Sequence, residues 1–246
     1  MSFILAKILP TEAPTDLARD PGTELETPMT PAEQSLKAAE ICRLAPVVPV
    51  IVVEDLAYAT PLARALVAGG LPALEVTLRT PCALDAIRAM SEVPGGVVGA
   101  GTLLTPADVK AAKAAGAAFG VSPGATERLL DACAEYYLPL LPGAATASEI
   151  MALLEKGYTV QKFFPAEQAG GAGYLKSIGS PIPQVKFCPT GGISLKNAPD
   201  YLGLSNILCV GGSWVCPKDK LAAGDWAGIE TLAREAAGLR SMGQRA

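Results

Sequence analysis

Residues 97–124 read "VVGAGTLLTPADVKAAKAAGAAFGVSPG", and this stretch contains one complete strand–helix–strand cycle. The apolar runs at 97–103 and 118–124 have the composition of buried strands. Between them, Thr105 precedes a proline, as is typical of a helix N-terminus, and Gly116 is typical of a helix end. A strand, a helix and a second strand in this order predict a parallel βαβ unit.

The same cycle repeats along the chain at intervals of about twenty residues. Because eight parallel strands that alternate with helices can close on themselves, the repeat predicts an α/β fold, a (β/α)8 TIM barrel. An open, doubly wound sheet is the alternative. In a barrel we expect the chemistry at the carboxyl ends of the strands. The predicted strands are 47–53, 73–78, 97–103, 118–124, 138–144, 159–165, 184–190 and 207–213.

The beginning of the chain has a different composition. Residues 10–34 are rich in proline, threonine and acidic side chains, which predicts a disordered segment. We therefore expect an N-terminal extension over residues 1–35 and a single barrel domain over residues 36–246. Thr30, which precedes a proline, is the predicted N-cap of a first helix, and Met29 is a hypothetical natural start.

Composition excludes several classes of function. The 246 residues carry a net charge of −4, no basic block and only 5% aromatic residues, so no nucleic-acid partner is expected. The chain has no histidine, so proton transfer must use other side chains or water. None of the six cysteines forms a CxxC pair, and no apolar stretch is long enough to span a membrane. We expect a reduced, cytoplasmic protein that binds no membrane.

A polar face interrupts the second predicted strand. In "LEVTLRT" (74–80), Glu75, Thr77 and Arg79 share one face because strand side chains alternate. This face points into the predicted barrel, where a charge is costly unless it is paired or used. Glu75 is then a candidate for proton transfer and Arg79 for binding an anionic substrate. The alternative is an interior ion pair that only stabilises packing.

A lysine lies inside the sixth predicted strand, "TVQKFFP" (159–165). Burial disfavours the ammonium form of Lys162, and a neutral amine can form a Schiff base with a ketone. The alternatives are a side chain that extends to the rim, or a structural pair with Glu75. Lys186 is a second candidate, but it lies near the start of its strand, which is the stabilising end of a barrel.

Small residues and turn residues mark several strand ends. "GAGT" ends the third strand, and Thr102, on the same face as Val98 and Ala100, can place its hydroxyl at the rim. "SPG" (122–124) ends the fourth strand, where Pro123 can provide an apolar wall. Each motif alone is equally typical of an ordinary turn.

Two glycine pairs end the last two strands. Barrel enzymes often bind phosphate through backbone N–H groups at these strand ends. The pairs are in "PTGGI" (189–193) and "VGGSW" (210–214), where Ser213 adds a hydroxyl donor. Together they predict a phosphate site.

In this order, the motifs resemble those of the 2-keto-3-deoxy-6-phosphogluconate (KDPG) aldolase and 4-hydroxy-2-oxoglutarate (KHG) aldolase family. The resemblance extends from about residue 44 to about residue 237. The motifs are "LEVTLRT", "GAGT", "SPG", "KFFPAE", "CPTGGI" and "GGSW".

The resemblance implies a class I aldolase, typically a homotrimer, that needs no metal or other cofactor. Such an enzyme cleaves phosphorylated KDPG to pyruvate and D-glyceraldehyde 3-phosphate in the Entner–Doudoroff pathway. By this resemblance, Lys162 forms the Schiff base and Glu75 shuttles protons. The remaining implied roles are the substrate-binding residues Arg79, Thr102, Pro123, Phe164 and Thr190, and the phosphate-binding residues Gly191, Gly192, Gly212 and Ser213.

Other functions stay open at this point. KHG or the galactonate epimer of KDPG could be the substrate. A phosphosugar isomerase or epimerase would use Glu75 without an imine, and a scaffold barrel would have no activity. Gln161, at a position that should face the helices, is unusual for that surrounding.

Overall fold

A cylinder of parallel strands surrounded by helices forms the core of the computed structural model, which describes residues 27–239. The strands are β1 (Val47–Ile51), β2 (Ala73–Thr77), β3 (Val97–Gly101), β4 (Phe119–Val121), β5 (Leu140–Leu141), β6 (Gly143–Ala144), β7 (Val160–Phe163), β8 (Lys186–Pro189) and β9 (Val210–Gly212). The α-helices are α1 (Pro31–Cys42), α2 (Ala59–Ala68), α3 (Ala83–Ser91), α4 (Pro106–Ala114), α5 (Glu127–Glu135), α6 (Ala147–Glu155), α7 (Gly171–Ile178), α8 (Ala198–Leu202), α9 (Lys218–Ala223) and α10 (Trp226–Ala237). A short 3₁₀-helix spans Leu56–Tyr58.

The strands close into a barrel. Hydrogen bonds connect them in the orders β5-β4-β3-β2-β1-β9 and β6-β7-β8, and two isolated bridges join β8 to the β9 segment. Only Pro142 separates β5 from β6, because proline has no N–H to donate to the ladder. With β5 and β6 counted as one interrupted strand, eight strands surround the axis. The predicted (β/α)8 barrel is confirmed, and the open sheet is excluded.

Alternation along the strands separates two apolar clusters. Leu74 and Val76 of β2 lie in the larger cluster, between the sheet and the helices. Val48, Phe119 and Leu141 lie in a smaller cluster inside the barrel. Side chains on the outer faces of the strands therefore pack against the helices, and side chains on the inner faces either fill the barrel interior or form its functional site.

Helix α1 closes the end of the barrel where the strands begin. Thr30 and Glu33 form a capping box at its N-terminus, which confirms the predicted N-cap. Its buried residues Ala38, Ala39 and Cys42 belong to the interior cluster. Residues 1–26 of the predicted extension lie outside the described residues, and α1 crosses the predicted boundary at residue 35.

None of the helices within residues 27–239 is both long enough and apolar enough to cross a membrane.

Candidate active site

Two buried charges meet inside the barrel. Lys162 on β7 places its Nζ 3.2 Å from Oε1 of Glu75 on β2, although 87 residues separate them along the chain. Their side chains are only 5% and 4% exposed. Each charge compensates for the desolvation of the other, because a buried ion without a partner is strongly destabilising. A lysine amine and a carboxylate thus face each other in a largely dry interior.

Gly101 leaves space for the carboxylate of Glu75. A Cβ at this position on β3 would lie 2.3 Å from Oε1 of Glu75 and 2.6 Å from its Cγ. Any larger residue would therefore displace the Glu75 side chain. The register of β2 and β3, with Thr77 opposite Gly101, puts this opening beside the acid.

An arginine and a threonine meet at the mouth of the barrel. Nε of Arg79 donates to Oγ1 of Thr102 over 3.0 Å. Thr102 has a φ of +62°, in the left-handed region that non-glycine residues seldom adopt. Val98 and Ala100, its predicted face partners, instead lie in the outer cluster under the helices. The prediction that Thr102 shares a face with Val98 and Ala100 was therefore wrong, because the left-handed turn redirects Thr102 towards Arg79.

Three further predicted residues lie around these groups. Nζ of Lys162 lies 5.5 Å from the centre of the Phe164 ring. Thr190, just after β8, is only 6% exposed, and its Oγ1 has no hydrogen-bond partner among the described residues. Pro123 follows β4 and is half-buried, with its backbone against Gly143. A buried hydroxyl without a partner is a donor or acceptor ready for a ligand.

The two glycine pairs lie at the ends of neighbouring strands. Gly191 and Gly192 follow β8 with φ angles of +105° and +75°, and the Thr190–Gly211 bridge holds this loop beside β9. Gly212 ends β9, and Ser213 lines a cavity of about 530 Å³ together with Glu54 and Lys218, but none of the other predicted site residues lines this cavity. The left-handed angles leave backbone N–H groups unobstructed by side chains, as phosphate binding requires.

Comparison with known proteins identifies the family. A family model for KDPG and KHG aldolases matches residues 38–232. The chain is also 55% identical over 200 residues to the KHG/KDPG aldolase of Escherichia coli K12, which covers 81% of this chain and 94% of that protein. The chain belongs to the KDPG and KHG aldolase family.

Solved structures of the family have the same architecture. A KDPG aldolase of Zymomonas mobilis ZM4, solved with 3-phosphoglycerate, is 52% identical, covers 85% of this chain and 99% of its own, and has a TM-score of 0.82. The KDPG aldolase of Legionella pneumophila is 45% identical, with coverages of 85% and 99% and a TM-score of 0.79. That structure holds pyruvate captured as a covalent carbinolamine.

Gln161 and Lys186 each donate hydrogen bonds to backbone carbonyl groups away from the buried ion pair. Gln161 is fully buried on the outer face of β7, where its Nε2 donates to the carbonyl oxygens of Ile150 at 3.1 Å and Tyr158 at 2.9 Å. Lys186 is the first residue of β8, and its Nζ donates to the carbonyl of Ser205 over 3.2 Å. Lys186 thus lies at the end of the barrel opposite the mouth, away from the buried ion pair.

The sequence analysis did not predict the hydrogen-bonded pair of Tyr201 and Glu167, which lies behind the glycine loop of Gly191 and Gly192. The hydroxyl of Tyr201 on α8 donates to Oε1 of Glu167, and burial followed by this bond raises the pKa of Tyr201. The stem of Glu167 lies directly against Gly192, where a Cβ would come within 2.7 Å of its Cγ. The glutamate of "FFPAE" was a visible signal, but its tyrosine partner lies 34 residues away.

Proposed function

We propose that this aldolase cleaves 2-dehydro-3-deoxy-6-phosphogluconate to pyruvate and D-glyceraldehyde 3-phosphate through a Schiff base on Lys162. The observation that carries the proposal is the buried pair of Lys162 Nζ and Glu75 Oε1 at 3.2 Å. An amine and a proton acceptor in one dry interior are the two groups that imine-based carbon–carbon cleavage needs.

The reaction follows from these two groups. Glu75 takes a proton from Lys162, and the neutral amine adds to the C2 ketone to give a carbinolamine. Glu75 returns this proton to the carbinolamine hydroxyl, which leaves as water and gives an iminium. Glu75, directly or through a water, takes the proton of the C4 hydroxyl as the C3–C4 bond breaks. Glyceraldehyde 3-phosphate leaves, and the electrons of the broken bond neutralise the iminium to give an enamine. Protonation of C3 and hydrolysis then release pyruvate and the free lysine.

The remaining site residues bind the two ends of the substrate. We assign the pyruvate carboxylate to Arg79 and Thr102, which are already hydrogen-bonded at the barrel mouth. We assign the reacting carbons to the space beside the buried Thr190 and the half-buried Pro123 and Phe164. The phosphate is assigned to the glycine-rich ends of β8 and β9, namely Gly191, Gly192, Gly212 and Ser213.

A second substrate has specific support. The relative in E. coli is named for both KHG and KDPG, so this chain could also cleave the unphosphorylated KHG. The same lysine, glutamate and arginine would serve, and only the phosphate site would stay empty. The galactonate epimer of KDPG would differ only in its hydroxyl contacts. Assay of all three compounds, coupled to pyruvate detection, separates these specificities.

The remaining assignments rest on the family. We propose a homotrimer in the cytoplasm, with no nucleic-acid or membrane partner and no cofactor beyond the lysine itself. The six cysteines, none in a disulfide, are consistent with a reducing compartment. Analytical ultracentrifugation of the purified full chain tests the oligomeric state.

Reductive trapping tests the mechanism. Pyruvate with borohydride should add one 1-carboxyethyl group to the protein, through reduction of the imine to a secondary amine, and peptide mapping should find it on Lys162. Lys186→Ala should be trapped as the unsubstituted protein is, whereas Lys162→Ala should not be trapped. An adduct on Lys186, or turnover without any adduct, would refute the proposal and favour an isomerase or epimerase.

A further inference from the structure

Three cysteines converge inside the barrel, beneath the active site. Cys42 ends α1, Cys188 lies on β8 and Cys209 directly precedes β9. Their sulfur atoms all lie within 4.8 Å of one another, and all three residues are buried. This thiol cluster is the only group of three or more potential metal ligands this close among residues 27–239.

The spacing matches three sulfurs around one atom. Metal–thiolate bonds are about 2.3 Å long, so three thiolates on one centre lie no more than about 4 Å apart. Because no two sulfur atoms of the thiol cluster are more than 4.8 Å apart, each pair must close by roughly 1 Å at most to reach this arrangement.

The surrounding of the thiol cluster limits the charge of an ion or atom that it can bind. Most neighbours of the thiol cluster inside the barrel are apolar, including Val48, Phe119 and Leu141, although Thr190 lies beside Cys188 and Glu75 lines the same small cavity as Cys42 and Cys188. Three thiolates leave a divalent ion with a net negative charge, and burying a charge without a partner is costly. Lys162 lies opposite Cys188 on the neighbouring strand, but Glu75 already neutralises it. A trivalent soft centre is the one that three thiolates neutralise completely.

We propose that the thiol cluster of Cys42, Cys188 and Cys209 is a binding site for trivalent arsenic. Arsenous acid exchanges its three hydroxyl groups for three thiols. Each As–O bond breaks as an As–S bond forms, and each thiol proton leaves with a hydroxide as water. Arsenic stays trivalent, no oxidant or reductant takes part, and the product is uncharged.

Binding would join α1 to the barrel wall. Cys42 is on the helix that closes the barrel, whereas Cys188 is on β8 and Cys209 directly precedes the neighbouring strand β9. The space beside Cys42 and Cys188 is only about 10 Å³, roughly one water molecule, so α1 must open locally to admit the ligand. Uptake should therefore be slow, and the bound centre should hold α1 in place.

Mass spectrometry of the full chain after incubation with sodium arsenite tests this site. We expect a gain of one arsenic and a loss of three hydrogens, together with a higher unfolding temperature and slower amide exchange in α1. Cys42→Ser should abolish the three-thiol adduct, and Cys188→Ala should do the same if the serine variant does not fold.

The controls are the other two buried cysteines. Cys133→Ala and Cys216→Ala should bind arsenic as the unsubstituted chain does, since neither belongs to the thiol cluster. Absence of the adduct in the folded full chain, or its persistence in Cys42→Ser and Cys188→Ala, would overturn the proposal. These readouts do not depend on aldolase activity.

Discussion

At the scale of single residues, the carboxylate of Glu75 has two tasks, which a conservative substitution separates. Glu75→Gln keeps the size of the side chain and a hydrogen bond to Lys162, but it removes the proton acceptor. We expect kcat for KDPG cleavage to fall by ~10²–10⁴, the usual contribution of general acid–base catalysis. Reductive trapping with pyruvate should become slower but persist, because Lys162 itself is unchanged. Full turnover by Glu75→Gln would rule out the proposed proton transfer.

Thr102 combines a strained backbone with a predicted substrate contact. Its φ of +62° costs about 1–3 kcal/mol, which Thr102→Gly relieves at the expense of greater freedom in the unfolded chain. The variant should therefore be about as stable as the unsubstituted protein. A hydrogen bond to a charged group contributes about 1.5–3 kcal/mol, so the KM for pyruvate should rise about tenfold or more.

Pyruvate saturation in the condensation direction and urea unfolding measure these two effects of Thr102→Gly. Thr102→Ser, which keeps the hydroxyl, is the matched control and should retain a nearly normal KM. An unchanged KM in the glycine variant would remove Thr102 from the carboxylate site.

At the scale of elements, α8 supports the glycine loop through Tyr201 and Glu167. Tyr201→Phe removes the hydroxyl donor, and the loss of one such bond should lower stability by about 0.5–1.5 kcal/mol. Because Glu167 lies against Gly192, we expect kcat/KM for phosphorylated KDPG to fall severalfold while KHG cleavage changes little.

Steady-state kinetics with both substrates tests this role of Tyr201. Tyr174→Phe is the control, since the Tyr174 ring stacks on Phe163 from the neighbouring helix α7. Equal losses for KDPG and KHG in Tyr201→Phe would indicate a general structural role instead.

The N-terminal cap of α6 makes the unfolding free energy of the protein depend on pH in the acid range. Glu149 accepts hydrogen bonds from the N–H groups of Ala145 and Thr146 and from the Thr146 hydroxyl, and the first of these bonds is the main cause of its lowered pKa. A lowered folded-state pKa stabilises the fold above the ordinary value of 4.5, and this stabilisation is lost as pH falls through the folded value.

Glu149→Gln retains a capping side chain but cannot titrate. Its unfolding free energy should therefore depend less on pH below about 4.5 than that of the unsubstituted protein, with a small difference at pH 7. Urea unfolding at several pH values measures this. Identical slopes for the two proteins would show that the cap contributes nothing to acid sensitivity.

At the scale of the whole molecule, the barrel needs α1 as its closure. A chain that begins at Met29 keeps the capping box of α1 and the bond from the Met29 N–H to the Ala134 carbonyl. It should match the full chain in unfolding temperature and kcat. A chain that begins at Leu44 lacks α1, exposes the interior cluster, and should lose stability or aggregate.

Thermal unfolding measures the unfolding temperatures of the two shortened chains, which are compared with that of the full chain. If the Met29 chain were markedly less stable than the full chain, residues 1–28 would contribute to the fold. If the Leu44 chain were fully stable, α1 would be dispensable.

Much of the molecule follows from local patterns. The alternation in "LEVTLRT" is enough to place Glu75 inside the barrel and Leu74 under the helices, because a strand has a period of two residues. Thr30 and Thr105 mark helix starts, since capping depends on a few neighbouring residues. The order and number of strands predict the barrel, because strands that follow one another in the sequence are usually neighbours in the sheet.

Only the tertiary structure decided which distant residues meet. The 3.2 Å contact of Lys162 with Glu75 joins two strands that are far apart in the sequence, the opening at Gly101 depends on the register of β2 and β3, and the thiol cluster joins α1 to two segments of the barrel wall. Thr102 reaches Arg79 through a left-handed turn that alternation does not describe. The physical reason is that periodicity determines the face of each side chain, whereas closure and register determine its neighbours.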